Sequence, residues 1–235
     1  QGRSYRQSCS SCSSSMGNPC SKRLREIVTP PRSSHSGRSP EIARELWPWV
    51  RALQAQSLAD TECNSPTELP VCILPHLLLG DKASAQNVDN LSKLGVSHIL
   101  NMAGRVAANS DIDFAARGIE HLTISADDEE GYPILALHLD AARNFIDKAY
   151  ASNGRCLVHC VAGINRSGVV CAAEVVLREQ IPVLEAVLKC REARGSPYLT
   201  NRSFQLQLVS LAAAHGLLGA RPAGFSDDPL PAPPA

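Results

Sequence analysis

The decisive stretch of the chain reads His159-Cys160-Val161-Ala162-Gly163-Ile164-Asn165-Arg166-Ser167-Gly168. A short apolar run, residues 156–158, leads into it, and a helix-like stretch, residues 167–179, follows it. A loop that opens a helix offers unpaired backbone N–H groups to an anion, and the helix dipole favours negative charge there. A thiol at the floor of such a loop is expected to ionise readily. The stretch therefore predicts that Cys160 attacks the phosphorus of a phosphate that Arg166 holds.

A simpler explanation treats the cysteine as a small buried hydrophobe and the arginine as a solvated charge. That explanation does not account for a thiol, two glycines and a guanidinium between the same strand and helix. Motif and predicted context agree, which favours the catalytic interpretation.

The loop resembles the His-Cys-X5-Arg-Ser/Thr signature of the cysteine-dependent phosphatases, most closely that of small atypical dual-specificity protein phosphatases. Residues 77–80, Leu-Leu-Leu-Gly, are similar to the aliphatic-Tyr-Leu-Gly of that family, with Leu78 in the aromatic place. Residues 199–208 are similar to its Pro-Asn-X-Gly-Phe-X-X-Gln-Leu segment. Thr200 and Ser203 replace the usual Pro and Gly, whereas Asn201, Phe204 and Gln207 are retained, Asn201 as a supporting residue.

The resemblance implies roles for the residues of the loop. Cys160 would be the nucleophile and Arg166 would bind two phosphate oxygens as a bidentate donor. The Ser167 hydroxyl would donate a hydrogen bond to the Cys160 sulfur, and His159 would brace the loop through its ring nitrogens. The backbone N–H groups that would form a nest around the phosphate belong to Val161, Ala162, Gly163, Ile164, Asn165 and Arg166.

The leaving group needs a proton, which a carboxylic acid on a nearby loop usually supplies. The sequence Asp127-Asp128-Glu129-Glu130 lies where the family carries its general acid. Counted back from Ile134, Asp128 matches best and Asp127 is the second choice. A solvated acidic loop is the alternative interpretation. Because Arg166 and the backbone would neutralise the phosphate, we expect neither metal nor cofactor.

Composition limits the function classes. The 235 residues carry 23 Lys and Arg against 23 Asp and Glu, so the net charge of zero argues against nucleic acid as a partner. The sequence contains no run of 18 apolar residues that would predict a membrane span. Nine cysteines, an odd number without regular spacing, are typical of reduced thiols and predict a cytoplasmic protein.

Short apolar strands alternate with helices, which predicts an α/β domain with a central, mostly parallel sheet flanked by helices. With the resemblance, this is the cysteine-phosphatase fold. The domain is predicted at residues 67–219. Residues 1–66 are predicted to be a disordered extension rich in Ser, Cys and Pro, with a short helix near 41–58 that breaks at Pro48. Residues 220–235 are predicted to be a disordered Pro-rich tail.

A lipidation pattern lies inside the predicted extension. Residues 16–21, Met-Gly-Asn-Pro-Cys-Ser, match the myristoylation pattern at Gly17, and Cys20 is a palmitoylation candidate beside three basic residues. The pattern predicts a peripheral membrane anchor only if translation starts at Met16, because an upstream start would leave Gly17 unexposed.

These observations predict a protein phosphatase that hydrolyses phosphotyrosine and phosphoserine or phosphothreonine through a phosphocysteine intermediate. Its expected partners are phosphoproteins, protein kinases among them, in the cytoplasm and also in the nucleus or at a membrane. Asn165, often Ser in the family, also occurs in RNA 5′-phosphatase relatives and keeps an RNA 5′-triphosphatase as an alternative. A non-catalytic phosphate-binding module is the other. The sequence leaves the oligomeric state open.

Overall fold

The computed structural model describes residues 39–59, 68–108 and 111–228. The first 38 residues of the predicted extension, with Gly17 and Cys20, lie outside the described residues, as do 229–235 of the predicted tail. The chain contains a five-stranded sheet with helices on both sides. The α/β prediction is therefore confirmed.

The sheet runs in the order β1-β2-β5-β3-β4. Its strands are β1 (Val71–Leu74), β2 (Leu77–Gly80), β3 (Val96–Asn101), β4 (Glu120–Thr123) and β5 (Arg155–His159). Only the pair β1 and β2 is antiparallel within the described sheet, and the other neighbours run parallel. The carboxyl ends of β2, β5 and β3 consequently meet at one edge, where ligands of parallel sheets bind.

Seven α-helices surround the sheet in the described part of the chain. They are α1 (Ser39–Ala59), α2 (Lys82–Gln86), α3 (Val88–Lys93), α4 (Ile134–Ala151), α5 (Arg166–Glu179), α6 (Val183–Arg194) and α7 (Arg202–Ala214). Two turns of 3₁₀ helix, Gly104–Ala107 and Ala115–Arg117, connect β3 to β4.

Side-chain alternation along the strands produces two cores. Leu77 and Leu79 of β2 face the larger core, which contains residues of α1 and of α4 through α7. Leu78, between them, faces a smaller core with Leu91 of α3 and Leu157 of β5. Successive residues of a strand point to opposite faces, so the same short apolar run supplies both sides of a covered sheet.

Helix α5 is anchored by a buried carboxylate. Glu174 is fully buried and accepts a hydrogen bond from Arg143 of α4 at 2.9 Å and another from Arg178. Removing one partner of a buried ion pair leaves an uncompensated charge, so this cluster fixes α5 against α4. The start of α5, which carries Arg166, is thereby placed at the sheet edge.

Helix α1 differs from the prediction because it continues through Pro48 without a break. Proline removes one backbone hydrogen bond and usually ends a helix. Here Trp49, Val50 and Leu53 are buried in the larger core, and the Trp49 indole donates to the Leu218 carbonyl at 2.9 Å. Tertiary packing compensates for the lost bond, and the helix belongs to the domain core.

Two glutamines connect α1 to the start of α7. The Gln54 amide donates to Gln205 Oε1 at 2.7 Å, and the Gln205 amide donates to the Leu199 carbonyl at 2.6 Å. Gln205 is 1% exposed, so both bonds satisfy a polar group that would otherwise be buried without partners.

The first part of the predicted tail packs on α1. The Arg51 guanidinium donates to the Asp228 carbonyl at 3.0 and 3.1 Å, and Arg221 pairs with Asp227 at 3.0 Å. Residues 220–228 thus have defined contacts, although their composition predicted disorder. Within the described residues, no helix combines the length and apolar character that crossing a membrane requires.

The packing of α1 predicts a stability effect. Leu53→Ala should lower the free energy of unfolding by about 2–5 kcal/mol, because it opens a cavity at a fully buried position. Glu45→Ala, at an exposed position of the same helix, should change it by less than about 0.5 kcal/mol. Urea unfolding of the full chain measures both, and equal stabilities would mean that α1 is not part of the core.

Candidate active site

Cys160 follows the last residue of β5, between β2 and β3 in the sheet. Its neighbours His159, Gly80 and Asn101 share one register position at the carboxyl edge. The thiol is 1% exposed, and the buried Ser167 hydroxyl donates to its sulfur at 3.2 Å. The structure therefore brings Cys160 and Ser167 together in the contact that the resemblance implied.

The carbonyl groups of residues 161–164 in the loop are bonded to the surrounding scaffold. The Val161 carbonyl accepts from the backbone N–H of Lys82 at 3.2 Å. Arg194 donates to the carbonyls of Gly163 at 2.9 Å and Ala162 at 3.2 Å. The Ile164 carbonyl accepts from Leu199 N–H at 3.2 Å. Each bond holds one peptide plane of the loop in a fixed orientation.

The backbone N–H groups of residues 161–166 have no hydrogen-bond partner among the described residues. In a peptide plane the N–H points opposite to the C=O, so carbonyls tied outwards direct amides inwards. A run of unpartnered amides at the start of α5 is an anion-binding nest, and the helix dipole adds to it. The geometry fits the phosphate cradle predicted from the sequence.

Gly163 is required by the shape of the loop. Its φ is +65°, in the left-handed region, and a Cβ there would lie 2.9 Å from the Gly80 carbonyl oxygen. The backbone oxygen cannot move away without disturbing β2. Any side chain at this position would therefore meet both conformational strain and a steric clash.

Arg166 and Asp128 lie next to each other. Arg166 begins α5, and its Nη1 donates to the Ala126 carbonyl at 3.3 Å. Its Nε makes no hydrogen bond in the described part of the chain and lies 3.6 Å from Asp128 Oδ2. The predicted phosphate ligand and the predicted general acid thus converge from different loops.

The carboxylates of the acidic loop, residues 127–130, make different contacts. Asp128 is the member that contacts Arg166, whereas the Asp127 side chain is exposed and makes no ion pair among the described residues. Glu130 accepts from the backbone N–H groups of Arg202 and Ser203, each at 3.0 Å, at the start of α7. An acid at a helix N-terminus is favourable. The arrangement favours Asp128 over Asp127.

Asn201 and Asn165 hold the start of α7 in place. Asn201 caps α7, since its side-chain oxygen accepts from Phe204 N–H at 3.1 Å, and its amide donates to Asp128 Oδ1 at 3.4 Å. The Asn165 side-chain oxygen accepts from the N–H groups of Thr200 at 2.8 Å and Asn201 at 3.0 Å. The supporting role predicted for Asn201 thereby acquires a contact with Asp128.

His159 braces the loop with one ring nitrogen instead of both. Its Nδ1 lies 3.3 Å from the Cys160 carbonyl oxygen, while the buried Nε2 has no partner among the described residues. Burial lowers the pKa of His159 to about 4, although the hydrogen bond with the Cys160 carbonyl acts in the opposite direction. A neutral ring that donates from Nδ1 satisfies this geometry, because a proton on Nε2 would be a buried, unpaired donor.

Several residues of the site carry no recognisable sequence signal. Arg194 is 5% exposed and supports two loop carbonyls, yet it lies 34 residues beyond Cys160 and reads as an ordinary helix-ending cation. Glu130 is one of four consecutive acidic residues, and the sequence does not distinguish its role from theirs. Gln207 differs from these two, because it matches the family segment; it donates to the Tyr132 carbonyl at 2.8 Å and accepts from Leu135 N–H at 3.2 Å. It anchors the acidic loop to α7.

Comparison with known proteins identifies the family of this chain. Residues 77–213 match the family described as "Dual specificity phosphatase, catalytic domain". Dual specificity protein phosphatase 26 of Rattus norvegicus is 32% identical over 191 residues, covering 76% of this chain and 87% of the relative. The Bos taurus protein of the same name is 33% identical over 152 residues, covering 64% and 69%.

Solved structures share the fold. The human tyrosine phosphatase-like serine/threonine/tyrosine-interacting protein is 26% identical with a TM-score of 0.56, covering 62% of this chain and 97% of that one. Human DUSP28 is 24% identical with a TM-score of 0.52, covering 63% and 98%. The second similarity concerns the fold alone.

Burial of His159 predicts acid sensitivity. The unfolded chain binds a proton at His159 below about pH 6.5, whereas the folded chain binds it only below pH 4 or so. Between these values the unfolded state holds more protons, so stability falls as the pH falls, by roughly 3 kcal/mol from this residue. Between pH 7 and 4.5 the free energy of unfolding, measured with urea, should fall less steeply with decreasing pH in His159→Gln than in the wild type. An unchanged pH dependence of stability in His159→Gln would contradict the prediction.

Proposed function

The chain belongs to the dual specificity phosphatases and is a protein phosphatase; on this premise we propose that Cys160, Arg166, Asp128 and Ser167 carry out its two-step reaction. The proposal rests on one observation above the others. A buried thiol in contact with the Ser167 hydroxyl lies at the base of a loop whose carbonyls are bonded to neighbouring elements and whose amides have no hydrogen-bond partner among the described residues.

In the first step the Cys160 thiolate attacks phosphorus. The sulfur–phosphorus bond forms as the bond from phosphorus to the substrate oxygen breaks. Asp128 transfers its proton to that oxygen, so the dephosphorylated side chain leaves as a neutral alcohol or phenol. Arg166 and the loop amides bind the other phosphate oxygens and stabilise the charge that develops on them.

In the second step Asp128, now a carboxylate, accepts a proton from water. The water oxygen bonds to phosphorus, the sulfur–phosphorus bond breaks, and inorganic phosphate leaves. The Ser167 hydroxyl, 3.2 Å from the sulfur, stabilises the departing thiolate by a hydrogen bond. The enzyme returns to its starting protonation state.

The substrates are phosphoproteins, and we propose phosphorylated protein kinases as the first class to test. The similarity to protein phosphatases disfavours the alternatives of RNA 5′-triphosphatase and non-catalytic module. Asn165, the residue that kept the RNA alternative open, has its side chain engaged by Thr200 and Asn201. Its presence therefore has a structural explanation that requires no RNA substrate.

Cys160→Ser should abolish turnover while phosphopeptide binding is retained, because the hydroxyl is a far poorer nucleophile but leaves the amides and Arg166 in place. The assay compares three substrates: a phosphotyrosine peptide, a kinase activation-loop phosphothreonine peptide and a 5′-triphosphate RNA. The wild type should hydrolyse both peptides. Preferential turnover of the RNA, or unchanged turnover in Cys160→Ser, would overturn the proposal.

For location, we propose the cytoplasm, with the nucleus and membranes as further sites. The described cysteines Cys72, Cys156, Cys160, Cys171 and Cys190 are free thiols, which a reducing compartment preserves. Membrane association would require myristoylation at Gly17, with Cys20 and the adjacent basic residues as second signals, because one acyl chain alone binds weakly.

Metabolic labelling with an alkyne myristate tests the anchor. The native product should incorporate the label and Gly17→Ala should not, since the acyl chain is attached to the exposed glycine amine. Labelled protein should sediment with membranes, and Cys20→Ser should weaken that association. Absence of label on the native product would end the lipidation proposal.

A further inference from the structure

Two exposed aliphatic side chains lie near the catalytic cysteine. Val161 directly follows Cys160 in the phosphate loop, residues 160–166, and is 38% exposed, whereas Val106, between β3 and β4, is 67% exposed. They are two of the five large apolar side chains that are exposed in the described part of the chain. Apolar side chains scattered singly over a surface need no explanation, but those grouped beside a site indicate a contact surface.

Lys82, at the start of α2, connects the two valines. Its backbone N–H donates to the Val161 carbonyl at 3.2 Å, and its Nζ donates to the Val106 carbonyl at 3.3 Å. The methylene chain of Lys82 therefore spans the interval between them, and such a chain adds apolar surface while its charge stays in solvent. The surface formed by Val106, Lys82 and Val161 is called the valine wall below.

The turn that carries Val106 is held in place from inside the protein. Asn101, the last residue of β3, is fully buried, and its amide donates to the carbonyls of Gly104 at 2.9 Å and Ala107 at 3.2 Å. Asn101 also shares a register position with His159, the last residue of β5. The turn is thus fixed to the edge of the sheet that carries the nucleophile. A contact made by a preorganised turn costs little ordering entropy.

The two ends of the phosphate loop differ in the charge that surrounds them. The valine wall adjoins the beginning of the loop at Val161, and it carries Lys82 and the neighbouring, exposed Arg105. The acidic loop, residues 127–130, adjoins the end of the phosphate loop at Arg166. A phosphopeptide is anionic, so electrostatic complementarity favours its passage along the valine wall.

We propose that the valine wall determines substrate specificity and favours phosphoproteins with an aliphatic residue within two positions of the phosphorylated one. The aliphatic side chain of the substrate would cover Val106 and Val161, and apolar surface of both partners would leave water. This inference rests on the proposed function, because it concerns the substrates of that same site. Val106 contributes to recognition and takes no part in the chemical steps.

A positional scan of a phosphotyrosine peptide tests the preference. The two positions before and the two after phosphotyrosine carry Leu or Ser in turn, and kcat/KM is measured with the full chain. At one or more of these positions the wild type should favour Leu over Ser about five- to tenfold, because one aliphatic side chain becomes partly buried.

Val106→Ser should remove this preference at the same peptide position, and Val161→Ser should reduce it. Both substitutions leave the backbone bonds to Lys82 in place, because those bonds use main-chain carbonyls. Leu188→Ser, at an exposed position of α6, is the matched control and should keep the wild-type preference. A preference for Leu that persists unchanged in Val106→Ser would contradict the inference.

Val106→Lys separates recognition from a structural defect. It should replace the preference for Leu by a preference for Glu at the same position, because the new cation attracts a carboxylate. A uniform loss on all peptides without a new preference would overturn the inference. If the wild type hydrolyses none of the peptides, the proposed function fails with it. If the wild type hydrolyses all of them at equal rates, the proposed function stands and only this inference fails.

Discussion

The site depends on how the phosphate loop ties up its own carbonyl groups. Lys82, Arg194 and Leu199 each donate to one or two carbonyls of residues 161–164. Because every peptide plane has two polar ends, fixing the carbonyl end decides where the amide end points. Because the amides are already oriented, little reorganisation energy is required when charge develops on the phosphate. The donors come from α2, α6 and the segment before α7, so the surrounding helices jointly determine the chemistry.

The sequence was informative where a local pattern carries the geometry. The continuous apolar run Leu77, Leu78 and Leu79 is typical of a strand covered on both faces, and the structure places its residues alternately in the two cores. The spacing from Cys160 to Ser167 predicts a strand, a tight loop and a helix, and it places the hydroxyl beside the sulfur. In each case the residues that interact are near neighbours in the chain, and their relative positions follow from the geometry of one element.

The parts that could not be predicted involve partners distant in the chain. Arg194 supports the phosphate loop across 31 residues, and Glu130 caps a helix that begins 72 residues later. No local rule assigns such a pair, since the distance is set by how helices pack on the sheet. Pro48 also shows that local rules are insufficient, because tertiary packing preserves a helix that the local sequence would interrupt. Its local effect is to interrupt a helix, yet the burial of Trp49 and Leu53 outweighs that effect.

The glutamine pair between α1 and α7 has a consequence for what counts as the catalytic unit. The family match begins at residue 77, but Gln54 donates to Gln205, which donates to Leu199, whose own N–H binds the phosphate loop at Ile164. A helix outside the matched region is therefore three hydrogen-bonded steps from the phosphate cradle. A fragment that begins at residue 77 would leave the Gln205 side-chain oxygen without its Gln54 donor. It would also expose the apolar surface against which Trp49 packs. The packed unit that supports the phosphate cradle is accordingly larger than the region that the family match covers.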